Sequence, residues 1–256
     1  MSLFKSGNPT LTPKLFNTTL ADRQEGMMTA RGAMNKFGFL FLMVIAGAGF
    51  TWHLYSQGKA DTMMPLMMLG VFGGLITGLV ISFKQSWAPY LAPLYGLLEG
   101  LFLGAISAVV NEMFARKYPG IVIQSVGLTL GVAVAMFLLY NFRIIRPTQK
   151  FKSILLTATA GIMIFYLATW IIRMFGVNMD FMMIGNGSML GIGISLFVVA
   201  IAALNLIIDF DMIEQGAEMG APKYMEWYSA FALMVTIIWL YVEILKLLSR
   251  LSSRNS

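Results

Sequence analysis

The chain has 256 residues, 58% of them hydrophobic and only 12% charged, with a formal net charge of +6 and a mean hydropathy of +0.75. A soluble domain is about one quarter charged, so this balance excludes a soluble enzyme or a nucleic-acid-binding domain, and it is the opposite of what disorder requires. With no cysteine, disulfides, thiolate metal sites and cysteine nucleophiles are removed together.

Residues 1 to 36 are polar, with Asn8, Pro9, Pro13, Asn17 and charges of both signs. They read as a cytoplasmic tail and not as a signal peptide, because the apolar run begins too late. Seven runs of roughly the 20 apolar residues that a spanning helix needs then follow. They are Phe37–Tyr55, Thr62–Ser82, Trp87–Val110, Gly120–Phe142, Ser153–Phe175, Gly187–Asp209 and Tyr228–Ser249. Each is too long for a strand of a membrane barrel. The predicted class is therefore all-α, a polytopic membrane protein of seven transmembrane helices. The breaks between runs are short, so 37–250 reads as one membrane domain and 251–256 as a C-terminal tail.

Lys and Arg accumulate in cytoplasmic loops. With the N-terminus inside, 11 of them fall on the inner segments, among them Lys36, Lys84, Arg143, Arg146, Lys150, Lys152 and Lys223. The outer segments hold 7, including Lys59, Arg116, Arg173, Lys246, Arg250 and Arg254. The count favours a cytoplasmic N-terminus. The basic C-terminal tail votes the other way, leaving two readings of the last segment: it exits outward, or it is re-entrant.

Small residues at four-residue spacing mark close helix contacts in lipid. Such stripes occur at Gly70, Gly74 and Gly78, at Gly96, Gly100 and Gly104, and at Gly187, Gly191 and Ser195. Pro89 and Pro93 fall early in the third run, where a missing amide donor costs least.

An ionisable side chain inside an apolar span is expensive and marks a candidate site. Glu99 lies in the middle of the third run, Asp209 ends the sixth, and Glu243 lies inside the seventh. Asn205 shares a helical face with Asp209. Asp211 points away, grouping with Glu214 and Glu218 on what reads as a solvated acidic face. If Asp209 and Glu243 meet, two carboxyls in contact cannot both stay ionised, so they share a proton. When ionised they offer the oxygen ligands that Ca²⁺ prefers.

The stretches Leu206–Ile213 and Leu240–Leu248 resemble the Bax inhibitor-1 family of multi-pass membrane proteins. Gly220–Tyr228 and Ser6–Pro9 resemble a bacterial branch of it, and Leu98-Glu99-Gly100 also fits. The resemblance implies a C-terminal helix surrounded by the other six, in a bacterial cytoplasmic membrane. It further implies a pH-sensitive calcium leak gated by two facing acids on helices six and seven, here Asp209 and Glu243. Some relatives latch the pair with an Arg near the end of helix two, where this sequence offers Lys84, a point charge without the bidentate fork.

Two functions compete. In the first, Ca²⁺ and protons are the partners, Asp209 and Glu243 hold Ca²⁺ transiently, and Glu99, Asn205, Lys84 and Asp211 support them. In the second, the protein conducts nothing and regulates a membrane-protein partner, such as a quality-control protease. No cofactor and no catalysis are expected. The single histidine, His53, falls at the end of the first run, HExxH is absent, and Lys246 lies too near a helix end for a retinal linkage.

Overall fold

Thr29 decides where the first helix begins. In the computed structural model, which describes residues 26–254, its backbone is extended and its hydroxyl accepts from the Gly32 amide at 2.9 Å. That satisfies one of the four amides a helix start leaves open. The first helix, α1, accordingly runs Ala30–Ser56 and takes in the last part of the predicted tail. Residues 1–25, including Ser6–Pro9, lie outside the described residues.

The other helices are α2 (Ala60–Phe83), α3 (Ala88–Phe114), α4 (Ile121–Asn141), α5 (Gln149–Met174), α6 (Met189–Glu218) and α7 (Met225–Arg254). All seven are long and apolar enough to cross a bilayer. Thr148 caps α5 and Ser188 caps α6 in the manner of Thr29. Pro89 sits in the first turn of α3, where no intrahelical bond is lost. Among the described residues the sole β feature is an antiparallel bridge from Met27 to Pro222.

The glycine stripes set the packing. A Cβ at Gly70 would lie 2.6 Å from the Leu98 carbonyl, and one at Gly100 would strike the Val44 carbonyl and the Gly47 Cα. The α2 stripe therefore beds on α3, and the α3 stripe beds on α1. Close approach of this kind replaces the hydrophobic drive that lipid removes.

At the centre stands α7. Seventeen of its 30 residues are buried, among them Leu233, Met234, Ile237, Ile238, Leu240, Tyr241, Ile244 and Leu245. Such a helix is an interior one. Four helices, α1, α3, α4 and α6, pack along it, while α2 lies outside on α3 and α5 outside on α6. The predicted central helix is thus present, with its six neighbours arranged in two layers. The outward surfaces carry Phe72, Leu156, Ile164 and Trp170, a lipid-facing surface.

The α7 helix is unbroken over its 30 residues, about 45 Å at 1.5 Å per residue, and crosses the whole bundle. Its start meets Lys36 of α1 through Glu226, and its end at Arg254 lies against Gly187 at the start of α6. It is not re-entrant. Residues 29 and 254 therefore lie on opposite faces, called here the N-face and the C-face.

Candidate functional site, a polar seam through the bundle

On α5, Lys152, Thr159 and Tyr166 are seven residues apart, so they share one face of the helix. Each meets a polar partner. Lys152 pairs with Asp211 of α6. The Asn205 amide of α6 donates to the Thr159 hydroxyl at 2.9 Å. The Tyr166 hydroxyl donates to Glu243 Oε1 of α7 at 3.0 Å. On α7 the same spacing holds for Thr236, Glu243 and Arg250. Asp209 of α6 lies beside Thr236, whose hydroxyl donates to the Ala232 carbonyl one turn earlier at 3.3 Å. Arg250, 3% exposed, donates to the Gly191 carbonyl and, at 3.2 Å, to that of Met182. Polar groups thus run from Lys152 near the N-face to Arg250 near the C-face, between α5, α6 and α7.

The two acids expected to face each other take separate partners. Asp209 lies opposite Thr236, and Thr236 precedes Glu243 by seven residues, about 10 Å along the helix axis. Glu243 turns instead to Tyr166 and to Lys246, whose Nζ is 2.9 Å from its Oε1. The facing pair is therefore replaced by two stations on one seam. Each keeps a buried oxygen, Asp209 Oδ2 and Glu243 Oε2, with no hydrogen-bond partner among the described residues. A buried polar atom left so is costly and calls for an explanation.

Lys84 joins neither acid. It is exposed beyond the end of α2, with its ammonium 4.0 Å from the centroid of the Trp87 ring. The counter-charge at Glu243 is Lys246, which the hydropathy profile had assigned to a helix end. Glu99 is half-buried off the seam, beside Tyr95 one turn earlier and packed against Gly74 of α2. Asp211 is not on a solvated face. It is 8% exposed, paired with Lys152 and accepting from Gln215 at 2.7 Å. Its predicted companions Glu214 and Glu218 do line a cavity of about 300 Å³ with it on the N-face. There Glu214 accepts from Tyr140 and Arg143.

Sequence reasoning passed over Tyr166 and Glu226; a pairing of Glu243 with Lys246 three residues later was legible, as is seen here, whereas Arg250, read as turning outward with Lys246, is buried. Tyr166 was detectable as a polar residue seven after Thr159 on an apolar helix, and the burial of Arg250 by its place seven after Glu243. Glu226, fully buried, accepts from Lys36, Lys223 and both the amide and hydroxyl of Thr29. Its signal was faint, a lone Glu in a loop-like stretch. Among the described residues no three His, Asp or Glu side chains gather as a metal site.

No curated protein and no solved structure matches the chain. A family described as Bax inhibitor 1 like matches residues 8–253, which takes in all seven helices and the seam between the last three. The chain belongs to the Bax inhibitor 1 like family.

Proposed function

We propose that this integral membrane protein is a pH-sensitive cation leak, that calcium is the ion it passes, and that the path follows the α5–α6–α7 seam. The observation that carries the reading is the continuity of that seam. Polar side chains from three helices succeed one another through the depth of an otherwise apolar bundle. Intramembrane polar residues of this kind mark ion and proton pathways. The stations at Asp209 and Glu243 have free carboxyl oxygens, where a proton or a hard cation would be held. The N-face carries Lys36, Arg143, Arg146, Lys152 and Lys223, which supports a cytoplasmic N-face in a bacterial inner membrane.

A liposome flux assay tests this. Purified protein passes Ca²⁺ in a pH-dependent manner, and Asp209→Asn and Glu243→Gln each alter the rate or its pH profile. Unchanged flux and profile in both variants would defeat the acid stations.

A second reading, a non-conducting regulator, draws on a different feature. An apolar cleft of about 480 Å³ opens between α1, α3, α4 and α7, bordered by Phe41, Ile45, Trp52, Val126 and Ile237. A partner's helix would suit such a surface. Absence of flux for every cation tried, with Ile45→Trp abolishing association with a membrane protein, would favour it.

A further inference from the structure

The Glu243 station already holds a cation, and that cation belongs to the chain. The Lys246 ammonium is 2.9 Å from Glu243 Oε1 and 5.0 Å from the centroid of the Tyr166 ring. The Tyr166 hydroxyl donates to the same carboxylate oxygen at 3.0 Å. One carboxylate and one aromatic face together are the chemistry that receives an ammonium. The station is built into the protein: Glu243 is 2% exposed, and its Oε2 is buried with acceptor capacity to spare.

The other nearby cation is committed elsewhere. Arg250 is anchored through Nη1 and Nη2 on the carbonyls of Gly191 and Met182, at the start of α6 and the turn before it, and its Nε is buried with no hydrogen-bond partner among the described residues. Lys246 differs in kind, with a compact charge on a flexible four-carbon stem and a side chain still 24% exposed. It can leave Glu243 and extend along the helix toward the C-face, as long basic side chains near helix ends do.

We propose that Glu243 and Tyr166 form a cage for an ammonium-class monovalent cation, and that Lys246 fills it as a tethered plug. The cage stands on its own geometry, while its consequence for conduction rests on the leak reading above. A permeating ion has to displace Lys246 from Glu243. The tether gives the ammonium an effective concentration in the millimolar range or above, so dilute free cations compete poorly and the leak stays slow.

The test uses the full chain with Lys246→Ala and ethylammonium chloride, the free counterpart of the lost side-chain end. In detergent, ethylammonium at tens of millimolar raises the unfolding temperature of Lys246→Ala by several degrees. It leaves wild type and Lys246→Ala/Glu243→Gln unmoved. In liposomes, Lys246→Ala leaks roughly tenfold faster than wild type, and ethylammonium returns the rate toward the wild-type value. Should the alanine variant not fold, Lys246→Met keeps the apolar stem and serves in its place. Equal response of wild type and variant to ethylammonium overturns the cage. So does a variant that leaks no faster than a conducting wild type. Selective stabilisation with no flux from any form upholds the cage and removes the leak reading instead.

Discussion

Lys36 and Glu226 are 190 residues apart in the chain and 2.6 Å apart in the structure, ammonium to Oε2. The contact ties the first turns of α1 to the start of α7. The second oxygen of Glu226 takes the Thr29 amide and hydroxyl, each at 3.0 Å, and Lys223 at 2.8 Å. Gly32 leaves room for it, because a Cβ there would overlap the carboxylate.

Glu226→Gln is therefore expected to destabilise the protein by about 3 kcal/mol, the scale of breaking a buried ion pair from one side. Gly32→Ala acts in the same direction by displacing the carboxylate. Chemical unfolding in detergent micelles measures both. A Glu226→Gln protein as stable as wild type would mean that the two lysines are satisfied by solvent.

The contact between α1 and α3 makes a sharper comparison. Gly100→Ala forces a methyl against the α1 backbone, whereas at Gly127 of α4 nothing lies within 4 Å of an added Cβ. The first substitution costs about 1–3 kcal/mol by overpacking. The second is neutral or slightly stabilising, since Ala is the better helix former. Equal effects at the two sites would deny the tight α1–α3 seat.

Lys152 and Asp211 join α5 to α6 at the N-face end of the seam. A double-mutant cycle with Lys152→Met and Asp211→Asn should give a coupling of about 1–2 kcal/mol, as for partly buried neighbours in one network. Additive effects would show that the pair is too well solvated to matter.

The absence of cysteine gives a clean background for topology. Single cysteines placed at Gln57 and at Ser253 should react with a membrane-impermeant maleimide from the same side of the membrane, and one at Lys223 from the other. Labelling of all three from one side is the outcome that would break the seven-crossing arrangement.

The seven spans were readable because each is an unbroken apolar stretch flanked by turn residues or charge, a signal carried by a single segment. Asp209 and Glu243 stood out for the same reason, a carboxyl amid aliphatic neighbours. Their partners did not. Thr159 and Tyr166 are ordinary residues in a membrane helix, and what makes them matter is the height at which α5 lies against α6 and α7. That relative height follows from interlocking side chains along whole helices, which no single segment encodes. Lys246 and Arg250 were misplaced because hydropathy averages over a window and ends a span where charges gather. The real helix continues to Arg254 and buries Arg250 against backbone carbonyls. The start of α1 was displaced for the converse reason, since a threonine cap acts through geometry that hydropathy does not register.

The last of the seven helices to be synthesised is the one around which the others pack. Until α7 emerges, α6 has no partner for Asp209 and Tyr166 none for its hydroxyl, and the inward faces of α1, α3 and α4 stand open to lipid. The first three helices can seat on one another through their glycine stripes as they are made, but the bundle as a whole cannot close in that way. Closure waits for the 30 residues of α7. A chain interrupted before Met225 would leave the faces that pack on α7 uncovered and Asp209 turned to acyl chains.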